Sequence, residues 1–373
     1  MQRIACSWLV WEWTGSAFWV GVMAAADLLP VVVIGPFAGV AADRWDRLRQ
    51  NMVAQILSAL LAVGLAILVA FDALTLPILL LFVALQGVTS AAVQPARLAM
   101  VQQMVAREDM GMAVALNSVN VNLARLTGPA LAGAMIAHSD TVWIFILNAA
   151  VTFIFVLIIR GIRLAPRDSI PVDVSFLRLM REGFAYVVRT PAIRLMMFTL
   201  LMGGVVARSV LELVPVVAAS TFRDTSTGLA VLTGAAAVGA VTAALTVSNG
   251  ASRRLIESVL LWWATASLAS ILLVYAPQAA VAVTAAVVIG AATTRALIGT
   301  QTYVQLATSD ELRGRTLSIH GLIARASPAV GALIVGYAAD QIGLSSAVTV
   351  ASSLLIVCLA TVFVIFRAKH PES

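Results

Sequence analysis

Thr141-Val142-Trp143-Ile144-Phe145-Ile146-Leu147-Asn148-Ala149-Ala150-Val151-Thr152-Phe153-Ile154-Phe155-Val156-Leu157-Ile158-Ile159 runs without a charged side chain. As a helix rising about 1.5 Å per residue, it reaches across a hydrocarbon core about 30 Å thick. Its two flanks differ. His138-Ser139-Asp140 before it carries no arginine, whereas the segment 160–194 after it carries Arg160, Arg163, Arg167, Arg178, Arg181, Arg189 and Arg194. A membrane-spanning helix with its basic flank in the cytoplasm has this asymmetry.

The same pattern repeats outward from that run. Apolar stretches long enough to span lie near 17–42, 51–71, 75–96, 112–137, 192–218, 228–248, 255–275, 279–302, 315–338 and 344–366. With 141–159 they make about eleven spans, each of roughly 20 residues. The charged fraction is 11% and the hydrophobic fraction 61%. A soluble domain is about 25% charged, so the solvent for most of this surface is lipid. The fold class is therefore all-α, a polytopic membrane protein.

Loop charge sets the topology. Arg44, Arg47 and Arg49, then Arg97 and Arg107, then 160–194, then Arg253 and Arg254, then Arg313 and Arg315, then Arg367 and Lys369 alternate with links that hold little or no positive charge. The arginine-rich side, the central segment and the C-terminus are thus expected in the cytoplasm. The net charge of +6 rests almost wholly on these arginines. Their place between apolar runs speaks for membrane topology and against nucleic-acid binding. Cys6 and Cys358 lie inside apolar stretches and suggest no disulfide framework. Met1 to Gly15 lacks the charged, apolar and cleavage regions of a secretory signal peptide.

One link is long and polar. In it the stretch Ser175 to Arg189 places Phe176, Met180, Phe184 and Val187 or Val188 on one helical face, with Arg178, Arg181, Glu182 and Arg189 largely opposite. This reads as a helix on the cytoplasmic membrane surface. It divides the chain into a bundle over 1–159, a linker over 160–191 and a bundle over 192–373. The halves repeat. Gln103, Glu108, Asp109 and Met110 share their spacing with Gln305, Asp310, Glu311 and Leu312, and Ser118, Ala124 and Arg125 answer Ser318, Ala324 and Arg325. Repeats of this kind occur in transporter folds.

Gly35-Pro36-Phe37-Ala38-Gly39-Val40-Ala41-Ala42-Asp43-Arg44-Trp45-Asp46-Arg47-Leu48-Arg49 resembles the signature between the second and third helices of the major facilitator superfamily. Asp46 stands where that signature has glycine. Acid at this place, Trp8-Leu9-Val10 with Thr14-Gly15-Ser16, and Gln94-Pro95-Ala96-Arg97 are similar to the bacterial exporter branch that includes the enterobactin exporter. The resemblance implies two pseudo-symmetric six-helix bundles rocking about a central cavity. It also implies that Gly39, Asp43, Arg44 and Arg47 gate conformational change. Residues 4–13 resemble the far end of the family's first helix, so that helix is expected to be incomplete here. Gly128, Pro129 and Gly133 partly match the family's antiporter signature; proline and glycine permit bending and close packing.

Polar groups at membrane depth supply the other candidates, because each is costly there. Ser118, Asn122 and Arg125 fall within an arc of about 60° at 100° per residue, widened by Asn117 and Asn120. Arg208 and Glu212 are one turn apart and suited to an ion pair. Arg295, His320 and Arg325 complete the cavity candidates. Each of these also has a plain reading as a packing or anchoring residue. Asp27 and Glu212 are the carboxylates deep within spans and hence the proton-coupling candidates. Desolvation favours the neutral form of a carboxyl, and Asp27 has no basic neighbour on its own helix within two turns. It therefore ranks ahead of Glu212, with Arg125 as the arginine expected to reach it from another helix.

Enzyme chemistry is not expected. With Lys369 as the sole lysine there is no Walker phosphate loop, and the histidines and cysteines make no zinc pattern. No metal or cofactor is expected. The leading function is proton-coupled efflux of amphipathic small molecules, such as drugs or siderophore-like metabolites. It would be carried out by a monomer in the inner or plasma membrane of a bacterium. The rivals are uptake or lysophospholipid transport and, in another class, a non-transporting scaffold or inactive remnant. The topology is directly testable. With single cysteines introduced in intact cells, Asp140→Cys and Gln341→Cys should react with an impermeant maleimide and Arg181→Cys should not. Labelling at 181 would overturn the orientation.

Overall fold

The computed structural model describes residues 1–44, 46–104, 109, 112, 116, 120, 124, 127–128, 131–136, 138–162, 176–222, 224–246 and 252–369. Side chains are described for all of these except 36–44, 47, 94–99, 101–103, 176–179, 252–254, 310 and 366–369. The described elements are helical. In order they are α1 (Gln2–Thr14), α2 (Ala17–Arg44), α3 (Arg47–Ala70), α4 (Leu76–Met104), α5 (Val142–Arg160), α6 (Phe176–Arg189), α7 (Pro191–Gly203), α8 (Val214–Thr221), α9 (Thr225–Leu245), α10 (Ser252–Val274), α11 (Ala279–Ala307), α12 (Asp310–Ile342) and α13 (Leu344–Lys369). Among the described residues, ten spans are long and apolar enough to cross a membrane. The expected run at 112–137 lies mostly outside the described residues. Large apolar side chains such as Phe153, Ile158, Leu354 and Val357 are exposed, as helices solvated by lipid require.

By packing, the chain forms two units. The first holds Met1–Trp13 and Ala25–Phe176. In it α3 lies against α4 and α5, burying Leu65, Leu79, Ile144 and Phe145. Asp46 starts α3: its carboxylate accepts from the Leu48 amide at 2.8 Å and the Arg49 amide at 3.2 Å. Two otherwise orphan donors are thereby satisfied, so acid at this position has a local use. Gln50 donates to the Ala92 carbonyl at 3.0 Å, and Gln86 to the Ser58 hydroxyl. These side-chain bonds tie α3 to α4 where apolar surface has no driving force to separate from lipid.

The second unit holds Thr14–Ala24 and Leu177–Ser373. Met196, Leu200, Leu260, Trp263, Ala292 and Leu355 close its core. Small residues set the crossings. A Cβ on Gly239 would collide with the Val287 carbonyl, and one on Gly290 with the Ala236 carbonyl, so α9 and α11 touch backbone to backbone. The sequence run at 192–218 is not one regular helix. α7 passes through a π turn at Gly204–Arg208 into Ser209–Glu212, then breaks at Leu213 before α8. Pro215, which has no amide hydrogen, sits in the first turn of α8 and explains the break. Where α9 begins, the Ser226 and Thr227 hydroxyls hold the exposed Asp224 carboxyl down at about 2. This carboxylate also caps the Ser226 amide.

The linker helix α6 is formed as expected, but its apolar face is divided. Val187 is buried with Ile193, Met197, Val304 and Ile319. Phe184 and Val188 remain exposed. Glu182 turns inward to Arg315 of α12 at 2.5 Å. α6 is thus fixed to the unit that follows it in the chain.

The first turns of α2 are fixed to the end of α12. Asp340 accepts from the Ala17 amide at 2.8 Å, the Phe18 amide at 3.3 Å and the Ser16 hydroxyl at 2.5 Å. It does for α2 what an N-cap residue does, from another helix. Phe18 meets Tyr337 edge to face with centroids 6.0 Å apart. A Cβ at Gly21 would strike the Ala332 carbonyl, and one at Gly336 would lie 2.5 Å from the Ala17 carbonyl oxygen. Asp340→Ala should therefore lower thermal stability in detergent by about 1 kcal/mol, the usual worth of a cap. Gly336→Leu should cost about 1–3 kcal/mol, because the backbones must separate. Equal stability of wild type and Gly336→Leu would contradict this crossing.

Candidate functional site

In the first unit, Asp27 of α2 faces Arg3 of α1. The Arg3 Nε stands 3.1 Å from Asp27 Oδ2, with side chains 42% and 19% exposed. The chain brings them together through a tight reversal at Gly15, whose φ of +57° favours glycine. Arg3 lies eleven residues before Thr14, and Asp27 ten after Ala17. At 1.5 Å per residue that is about 16 and 15 Å along the two helices, so the two charges lie at similar distances from the reversal. Gly87 admits α4 onto the Asp27 backbone. Gln2 is also used, accepting from the Asn148 amide nitrogen at 2.5 Å. Arg125, the arginine expected to reach Asp27, lies outside the described residues; a partner observed is Arg3. The signal that could have found it was the short reversal, which puts residues about equally distant from Gly15 side by side.

In the second unit, Arg208 ends the π turn and donates to the Ala324 carbonyl of α12 at 3.0 Å. The spacing to Glu212 does not reveal this bond. A π turn widens the helix and displaces the side chains after it. Arg295 donates to the Thr246 carbonyl at 2.8 Å and its hydroxyl at 2.6 Å, and lies 5.6 Å over the Trp262 ring. It satisfies a carbonyl at the C-terminal end of α9 and anchors α9 and α10 to α11. His320 is buried, its Nε2 3.1 Å from the Thr300 hydroxyl. Arg325 is exposed on α12. Arg208 of the π turn, Thr300 of α11 and His320 of α12 thus lie in one unit, with Arg208 bonded to α12 and His320 beside Thr300.

The remaining candidates are placed as follows. Gly133 is buried and Gly128 half-buried. Asn117, Ser118, Asn122, Arg125 and Pro129 lie outside the described residues. The backbone of Gly39, Asp43 and Arg44 ends α2, and that of Arg47 begins α3; their side chains are outside the description. Two apolar grooves open on the first unit. One of about 510 Å³ between α3 and α4 includes Asp46, Gln50, Val53, Leu57 and Thr89. The other, of about 400 Å³, runs along α2 and α4 past Leu29, Pro30, Val33 and Leu85. Neither is lined by Arg3 or Asp27. Among the described residues, no group of three histidines, cysteines or carboxylates could hold a metal ion.

Three comparisons bear on this arrangement. The family model described as "Transmembrane secretion effector" matches residues 1–373. The multidrug efflux pump Tap of Mycolicibacterium fortuitum is 28% identical over 361 residues, 91% of this chain and 85% of that protein. The staphyloferrin A transporter of Staphylococcus aureus is 26% identical over 191 residues, a match spanning about half of each chain, 48% and 48%. In fold, the nucleoside transporter NupG superposes with a TM-score of 0.76 at 13% identity, covering 98% of both chains. A match over the full length, on a structure of membrane-long helices, settles the affiliation: the chain belongs to the transmembrane secretion effectors of the major facilitator superfamily, and is an all-α multi-pass membrane protein, not an enzyme.

Proposed function

We propose that this chain is a secondary active transporter that exports amphipathic small molecules in exchange for protons by alternating access. The observation that carries this reading is the Arg3–Asp27 pair. A carboxylate within a span-length apolar helix, held by an arginine, is a group whose charge can be released and restored during a cycle. Asp27 is the coupling carboxylate and Glu212 the second. Protonation of Asp27 would break the attraction to Arg3 and favour the conformer in which the two are apart. The export direction is supported by the resemblance to proteins named as efflux pumps. No Walker lysine exists in the chain, so the energy source in this reading is an ion gradient.

The other candidates take roles around this centre. Gly39, Asp43, Arg44 and Arg47 gate the cytoplasmic side. Asn117, Ser118, Asn122, Arg125, Arg208, His320 and Arg325 contribute polar groups to the cavity, and Gly128, Pro129 and Gly133 allow the bending. Arg295 has the bonds of an anchor and serves the frame. The bundles 1–159 and 192–373 are the moving bodies, with 160–191 as their cytoplasmic link. The protein works as a monomer in the cell membrane, with its C-terminus in the cytoplasm.

The test uses ethidium as an amphipathic probe. Cells expressing the chain should hold several-fold less dye than cells without it. In everted vesicles, dye-induced proton movement should fall at least tenfold in Asp27→Asn and in Asp43→Asn, with membrane insertion unchanged. Wild-type proton movement in Asp27→Asn would remove it from coupling and leave Glu212.

A further inference from the structure

In the first unit, α3 carries an exposed aliphatic stripe of Val53, Leu57, Leu60 and Ile67. These positions share one helical face within the span Leu48–Ala70. A face of that length without polar side chains is solvated by lipid. The groove of about 510 Å³ between α3 and α4 opens on it, because Val53 and Leu57 belong to both. From Arg49 to Leu57 the groove follows α3 for about 12 Å, at 1.5 Å per residue. One leaflet of hydrocarbon is about 15 Å deep, so a groove that starts at the end of the span stays within one leaflet. That length suits a lipid chain, whereas a solute crossing the membrane needs a site near the midplane. The polar lining has partners in the protein with one exception. Asp46 accepts from the Leu48 and Arg49 amides, Gln50 donates to the Ala92 carbonyl, and the Thr89 hydroxyl donates to the Gln86 carbonyl at 2.8 Å. Arg49 is exposed at the mouth of the groove, and among the described residues its guanidinium has no partner. Arg44 and Arg47 precede it in the chain, so the mouth is basic at the level where lipid phosphates lie.

We infer that this groove is a binding site for one anionic phospholipid, with its phosphate on Arg49 and an acyl chain along Val53 and Leu57. A guanidinium presents paired donors that match phosphate oxygens. An acyl chain restores to Val53 and Leu57 the van der Waals contacts that an empty groove forfeits. Neither part is selective by itself, since the arginine accepts any phosphate and the groove any hydrocarbon. Together they select a molecule whose anionic head is joined to a long chain. A cationic amphipath is disfavoured by the arginine. The site lies on the lipid-facing side of α3, so it does not depend on the direction or the coupling of transport.

The experiment adds phosphatidylglycerol to purified full-length chain in detergent and counts retained lipid by native mass spectrometry. Wild type should retain one lipid. Arg49→Gln, which removes the charge, and Leu57→Trp, which fills the groove, should each lower retention at least fivefold. Arg49→Lys should keep part of it. Leu60→Trp, on the same stripe but outside the groove, should leave retention within about twofold, and so should an excess of glycerol phosphate or of ethidium. All three substituted positions are exposed, so the fold tolerates the changes. The inference is overturned by absence of retained lipid in wild type, or by wild-type retention in either Arg49→Gln or Leu57→Trp. Equal loss in Leu60→Trp and Leu57→Trp also overturns it, since the lipid would then be an unselective coat. Displacement by glycerol phosphate would reduce the site to a surface anion contact, and displacement by ethidium would make the groove a solute site; either result rejects a lipid site.

Discussion

Hydrocarbon offers a peptide group no hydrogen-bond partner, and most of this structure follows from that constraint. Each spanning segment satisfies its own backbone by being helical, and the remaining task is to hold helices together where burial of apolar surface gains little. The chain solves it with close backbone approach and with polar ties. Gly239 and Gly290 bring α9 and α11 into contact, and Gly21 and Gly336 do so for α2 and α12. Asp340 on Ala17 and Phe18, Glu182 on Arg315, and Gln50 on Ala92 supply directional bonds that lipid cannot replace. Where the helical ladder is interrupted, between Gly204 and Leu213, the freed groups find other partners: Leu213 donates to the Ser209 carbonyl at 3.3 Å and the Val210 carbonyl at 3.1 Å.

The same constraint turns each charge within a span into a question about its partner. Three arginines answer differently. Arg295 is consumed by a helix end and an aromatic face, which is architecture. Arg208 reaches a carbonyl across to α12 from an irregular turn, a bond that joins two helices at a place already loosened by the π turn. Arg3 is paired with the carboxylate of Asp27 and its side chain remains 42% exposed. An ion pair of that kind is held by electrostatics that protonation of the carboxyl would offset.

Much of the fold was legible because the spanning signal is long. The run 141–159 became α5 at Val142–Arg160 within a residue. The run 315–338 became α12 at Asp310–Ile342, longer because Asp310 to Gly314 extend the helix beyond its apolar part. Hydropathy could not see such polar ends, nor the break at Leu213, where Pro215 was visible but read as part of an apolar run. Amphipathicity identified α6 but not that protein would cover Val187 while Phe184 stayed exposed. Candidate site residues were legible as types, not as partnerships. Asp27 was picked out by depth, yet Arg3 was missed because periodicity describes one helix at a time. Asp46 was seen as a departure from a motif; only the structure gives its use, as the cap of α3.

In the proposed function a proton gradient, acting through a carboxylate within the membrane, drives outward movement of an amphipathic solute. The most direct measurement is ethidium accumulation into everted vesicles with ATP present throughout while the proton gradient is collapsed by an ionophore. Uptake by wild-type vesicles should stop when the gradient collapses. Uptake that continues undiminished on ATP alone would contradict it.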